Sequence, residues 1–226
     1  MTPLVLAALA WLLLHVVVAG PMRPGLVGRI GLKAYRGLFS LLSAVALAAL
    51  IWTYRTAPYV EVWETTSTLA LVPIVIMPVA FWLLVGSLRP SNPTMAGPDM
   101  KPATEMPVSG LTKITRHPML WAFSLWAASH MVANGDVATW LMGGTILATS
   151  LNGMPSIDRK RAAQFPEQWQ QFKEKTSIIP LLAVAQGRVR LKLSDLGIWN
   201  IIIGAWLYVI FIYFHAKLFG VPVYHP

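Results

Sequence analysis

The chain has 226 residues, of which 56% are hydrophobic and 12% charged, with a formal net charge of +9 and a mean hydropathy of +0.59. So apolar a composition excludes an ordinary soluble domain and fits a polytopic membrane protein of one domain. With no cysteine, disulfides, thiolate metal sites and cysteine nucleophiles are ruled out, and histidine is left as the strong nitrogen ligand for a transition metal.

In chain order, residues 3–19 are uncharged apart from His15 and cross about 30 Å of hydrocarbon when nearly upright. They lack a basic n-region, and Gly20-Pro21-Met22-Arg23 is a poor cleavage site, so a retained span is expected rather than a signal peptide. Arg23, Arg29, Lys33 and Arg36 then precede a second span over 38–54. A third, 68–88, contains Pro73 and Pro78, which predicts a kinked helix whose freed carbonyls need partners from neighbouring helices. Residues 89–108, with Pro90, Pro93, Pro98, Pro102 and Pro107, read as an extended loop.

The stretch from Thr115 to His130, closed by Asn134-Gly135-Asp136, predicts a helix over 118–133: proline suits its first turn and Asn-Gly is a stop signal. The short turn makes the next span, 137–154, its antiparallel neighbour. Residues 155–196 are charged and amphipathic, with helical patterning around Asp158 to Arg161 and a second piece starting at Pro166. The last span covers 197–219. Sixteen of the eighteen basic residues fall in 20–37, 89–117 and 155–196. That loop-wise division argues against a nucleic-acid patch, and by the positive-inside rule it makes these loops cytoplasmic and puts both termini outside. The expected fold class is therefore all-α, a polytopic membrane bundle of about six helices.

Ionisable residues inside a span are candidates for function. His130 follows Trp126 by four residues and Phe123 by seven, which lines the three on one helix face. His117 lies about 19 Å further along the same helix and on another face, so it cannot share a small ligand with His130. His15 and His130 fall at depths that differ by about 11 Å if their helices start level. His15 with His117, and His130 with His215, are competing pairs. Structural alternatives are a helix-to-helix hydrogen bond for His130, a cap for His117, and interfacial positions for His215 and His225. Trp52, Trp63 and Trp140 suit a membrane belt, and the basic run 159–161 suits phospholipid headgroups.

His15, Arg29-Ile30-Gly31, Tyr35-Arg36-Gly37, Phe39-Ser40, Arg116-His117-Pro118-Met119-Leu120-Trp121, His130 and Asn134-Gly135-Asp136, continuing through Asp158, Trp169 and Thr176-Ser177 to Pro180, resemble the NnrU family of bacterial membrane proteins. That family is associated with denitrification and nitric oxide metabolism, and is similar to the plant 15-cis-zeta-carotene isomerase, in which a b-type haem works between histidines of two helices. The resemblance implies haem b held by His15 and His130, with Trp126 and Phe123 beside the porphyrin and Arg23 or Arg116, next to His117, available to its propionates. The isomerase's cysteine three residues before the second histidine is Ala127 here. The implied location is the bacterial inner membrane, and the implied partners are the lipid bilayer and a small hydrophobic or gaseous ligand; whether the chain is an enzyme stays open. Arg116-His117-Pro118 with Asp158, Phe165, Trp169, Phe172 and Pro180 also resembles membrane methyltransferases of the isoprenylcysteine carboxyl methyltransferase type, which implies S-adenosylmethionine at the cytoplasmic end. A third reading is a non-enzymatic transport or accessory protein.

Overall fold

The computed structural model describes residues 1–88, 92–94 and 106–223. Pro90, Pro98, Pro102 and His225 lie outside the described residues. Among the described residues the fold is helical, with no β-strand.

Helix α1 (Thr2–Leu12) runs into a π-helical turn, Leu13–Val18, and then bends by 76° into α2 (Arg23–Ile30). Next come α3 (Leu32–Arg55), α4 (Ser67–Ser87), α5 (Pro118–Ala133), α6 (Val137–Gln164), α7 (Pro166–Lys175), α8 (Leu182–Ala185) and α9 (Ile198–Phe219). By length and apolarity α3, α4 and α9 can cross a membrane, and the bent pair brings the number to as many as four. Each of the six expected spans is largely helical, but neither α5 nor α6 is among the helices long and apolar enough to cross; α5 has 16 residues, short of the roughly 20 that a full crossing needs.

The largest departures from expectation lie in the basic stretches. Residues 20–37 contain α2 rather than a loop, and α3 begins at Leu32 instead of Leu38. Lysine and arginine are good helix formers whose stems lie along apolar surface while their charges reach water. The end of the apolar pattern is therefore not the end of the helix. For the same reason α6 continues past Met154, through Pro155 and into Asp158-Arg159-Lys160-Arg161.

The chain divides into two compact units. The first comprises Met1–Val72 and Ala127–Gly153, with Leu4, Ala8, Leu50 and Ala138 at its core and Trp11, Tyr54, Met142 and Ile146 packed around them. Its helices are cross-linked by side chains: the Trp11 indole donates to Thr149 Oγ1 (2.9 Å) and Tyr54 shares a hydrogen bond with Thr139 (3.1 Å). The Asn134-Gly135-Asp136 turn seats the loop after α3. Val62 and Trp63 N–H donate to the Gly135 carbonyl and Val137 N–H to that of Val60, and a Cβ at Gly135 would collide with the Trp63 carbonyl.

The second unit comprises Pro73–Trp126 and the chain from Met154 onward. Leu83, Leu111, Ile114 and Ala122 form its core. Helices α4 and α9 approach closely at Gly204, where a Cβ would stand 3.0 Å from the Trp82 backbone nitrogen, a small-residue contact of the kind membrane helices favour. Pro78 has no N–H to give the Ile74 carbonyl one turn back; the Tyr208 hydroxyl of α9 donates to it instead, at 2.7 Å. This is the partner from a neighbouring helix that the prolines of α4 call for. Tyr208→Phe leaves that carbonyl unpaired and is expected to cost about 1–3 kcal/mol, read as a lowered midpoint of thermal unfolding in nanodiscs.

Candidate functional site

His15 sits in the π-helical turn of the first unit. The wider winding is recorded in its hydrogen bonds, since Ala19 N–H reaches back to Leu14 and Met22 N–H to Val17. Single π-helical turns inside α-helices occur often at functional positions. His15 Nδ1 lies 3.0 Å from the Trp11 carbonyl. A carbonyl only accepts, so the proton is on Nδ1 and a neutral ring keeps its lone pair on Nε2. That nitrogen faces Ser43 Oγ of α3 at 3.5 Å. The ring stacks on Trp11 (centroids 3.9 Å apart) and meets the edge of Phe39 at 5.4 Å.

An aromatic line runs on from there toward the membrane surface. Phe39 stacks on Tyr35 at 5.9 Å, and the Arg23 guanidinium lies 5.9 Å from the Tyr35 ring centre. The Tyr35 hydroxyl donates to the Val18 carbonyl at 3.3 Å, which ties the end of the π-helical turn to α3. Arg23 and His15 thus belong to one connected set. Trp11, Tyr35 and Ser43 were not expected from sequence. Trp11 was legible as the residue one helical turn before His15; Ser43 carried no signal, because its meeting with His15 depends on how α1 and α3 pack.

His130 belongs to the same unit and is half-buried, with Nδ1 at 3.4 Å from Ser129 Oγ. It lies at a different level from His15. Helices α1 and α6 run the same way, Leu4 and Ala8 packing at Ala138 and Trp11 reaching Thr149. His15 is one turn beyond Trp11, whereas α5 meets α6 with Met131 and Ala127 against Gly143. By that packing the backbones of the two histidines stand roughly 15 Å apart along the helix axes. Trp126 is half-buried and Phe123 is 40% exposed. His215, near the end of α9, turns its Nδ1 to the Val221 carbonyl at 2.8 Å.

Arg116 and His117 meet Asp158 in the second unit. Pro118 starts α5 and leaves His117 at its mouth, while the length of α6 beyond Met154 carries Asp158 to the same place. Asp158 Oδ1 accepts from His117 Nε2 at 2.8 Å, and Oδ2 accepts from Arg116 Nε at 2.9 Å and from its NH2 group at 2.8 Å. Arg116 also donates through NH1 to the Thr176 carbonyl and through its backbone N–H to that of Ser177. Thr115 Oγ1 and the Trp121 indole both donate to the Ile178 carbonyl. The cluster thus clamps residues 176–178 to the start of α5. His117 is 1% exposed, and its Nδ1 has no hydrogen-bond partner among the described residues. Burial pushes the His117 imidazole below its ordinary value of 6.5, against the pull of Asp158. Burial pushes the Asp158 carboxyl up, but the hydrogen bonds from His117 and Arg116 outweigh it and bring the group below 3.8.

The NnrU protein family matches residues 3–223. The chain belongs to the NnrU family. Within curated proteins it is similar to the chloroplastic 15-cis-zeta-carotene isomerase of Arabidopsis thaliana, 30% identical over 88 residues, which are 39% of this chain and 24% of that one. The Zea mays isomerase is 28% identical over 91 residues, 40% of this chain and 25% of the other. The matched stretch is about a quarter of the length of these relatives. No solved structure matches.

The clamp sets a pH dependence of the NnrU protein's stability. Because the folded His117 pKa is below 6.5, the unfolded chain gains more protons as pH drops through that value, and stability begins to fall there. The depressed Asp158 contributes stability above 3.8 that is lost as pH falls further, through its folded value. The slope of stability against pH between about 6.5 and 5 is expected to flatten in His117→Gln, measured by chemical denaturation in detergent. Asp158→Ala leaves Arg116 buried and uncompensated and is expected to cost about 3–5 kcal/mol.

Proposed function

We propose that this NnrU-family membrane protein binds haem b with His15 as an axial ligand and performs isomerase-like chemistry on a hydrophobic polyene. The observation that carries the reading is the tautomer of His15. Its Nδ1 proton is committed to the Trp11 carbonyl, which orients the ring and leaves Nε2 as the donor atom, the arrangement typical of metal-bound imidazoles. Trp11 and Phe39 provide flat apolar surface beside it, and Arg23, joined to His15 through Tyr35 and Phe39, is the cation suited to a propionate. The residues around His15 fit one imidazole donor for an iron, and the second histidine of the expected pair, His130, lies in the same unit.

Bound there, the iron would supply a Lewis acid for a double bond, or a site for a gaseous ligand such as nitric oxide. The chain's own part is to hold His15 neutral and oriented and to keep water away. Leu38, Leu41 and Leu42 of α3 are exposed beside Phe39 and Ser43, so a polyene reaches this level from the lipid rather than from water. The two relatives are 15-cis-zeta-carotene isomerases, which supports that substrate class. Membership of the NnrU family supports a bacterial inner-membrane location, and the distribution of basic residues supports an orientation with both termini on the periplasmic side.

A reduced-minus-oxidised spectrum of protein expressed with ample haem tests the reading. Soret and α bands that disappear in His15→Ala are expected; their absence in the wild type, or persistence in that variant, contradicts it. Loss of the bands in His130→Ala would point to the two-histidine arrangement instead. The methyltransferase reading has the Arg116, His117 and Asp158 meeting in its favour. Both Asp158 oxygens are already engaged, however, and calorimetry with S-adenosylmethionine is expected to give no binding heat.

A further inference from the structure

The segment between α7 and α9 carries apolar side chains that the fold holds outward. Its backbone is pinned from beneath: Ile178 accepts from Thr115 and Trp121, and Leu181 N–H donates to the Ile114 carbonyl at 2.8 Å. The side chains that follow point away. Ile179 is 57%, Leu181 50% and Leu193 87% exposed. Leu181 also has φ of +62°, a left-handed conformation that side-chain-bearing residues avoid and that glycine or asparagine would adopt more readily. Water gives no reason to hold a leucine in that state.

Exposed cations accompany these leucines. Arg190 and Lys192 are exposed, as are Lys173 and Lys175 at the end of α7. Arg188 closes that helix end, donating to the carbonyls of Lys173, Glu174 and Thr176. The two acids nearby are engaged elsewhere, Glu174 with Gln170 and Asp195 with Lys113. The segment leads directly into α9, whose Trp199, in the first turn, is 68% exposed, as suits an aromatic at the headgroup level. A surface of outward leucines rimmed by lysine and arginine is the make-up of an interfacial anchor.

We propose that residues 179–193 lie in the surface of an anionic phospholipid leaflet on the basic-loop side, with Ile179, Leu181 and Leu193 in the acyl boundary and Arg190 and Lys192 at phosphates. This anchor is independent of the His15 site. It fixes the depth of the clamp around Arg116, whose partners at residues 176–178 immediately precede it.

Because the chain has no cysteine, a single nitroxide on Leu181→Cys reports on this position without background, with Leu193→Cys as a second site and Gln170→Cys on the exposed face of α7 as a reference. The full-length protein is placed in nanodiscs of phosphatidylcholine with phosphatidylglycerol. At 181 and 193 the ratio of collisions with oxygen to collisions with a nickel chelate is expected to be several-fold higher than at 170, and to drop in Arg190→Gln/Lys192→Gln. Nickel access at 181 and 193 equal to that at 170 overturns the proposal. So does shielding from both reagents, which would mark a protein contact, and so does an immersion identical in pure phosphatidylcholine, which would remove the anionic lipid.

Discussion

Backbone N–H and carbonyl groups in hydrocarbon have no water to fall back on, and each must find a partner within the protein. Much of what is distinctive here follows from how this chain meets that requirement where its helices are irregular. Pro78 frees the Ile74 carbonyl and Tyr208 takes it up. The π-helical turn changes the register of hydrogen bonding after Leu12, and side chains bond to carbonyls at both its ends: His15 turns back to the Trp11 carbonyl and Tyr35 reaches the Val18 carbonyl from α3. The first of these bonds also sets the His15 tautomer.

The second unit solves a different problem, that of holding a polar segment against the ends of α5 and α6. Its answer is a buried cation and a buried carboxylate paired with each other, with an imidazole that donates from Nε2 to the same carboxylate. Such a set is strong in low dielectric, and removing one member leaves the others uncompensated. It leaves the two chemically suggestive groups of the chain with different characters. One is a histidine whose Nε2 faces a single hydroxyl at 3.5 Å, and the other is a carboxylate with every oxygen occupied.

How far the sequence could be read depends on the range of the determining contacts. Helix α5 was legible to its ends, since Pro118 and Asn134-Gly135 act locally. The prolines of α4 announced the need for a partner but not that Tyr208, far along the chain, would be it. The start of α3 was misplaced because Lys33 and Arg36 end the apolar pattern without ending the hydrogen-bonded helix. Nothing local marks Leu13–Val18 as π-helical, and the contacts it makes with Tyr35 and Ser43 come from another helix. Depth arithmetic along the helices gives His15 and His130 different levels, and the helix of each packs against α6 through its own contacts. Asp158 stood out by resemblance to a motif, but its closure by Arg116 and His117 required α6 to run on through Pro155.

The central claim is that the membrane-embedded His15 is a neutral, oriented imidazole with its lone pair on Nε2. Nitrogen-15 magnetic resonance of protein labelled at histidine, with His15 assigned by comparison with His15→Gln, reads this directly in the protein as purified without haem. A proton on Nδ1 and an unprotonated Nε2 are the expected result. A proton on Nε2, or on both nitrogens, would contradict the account.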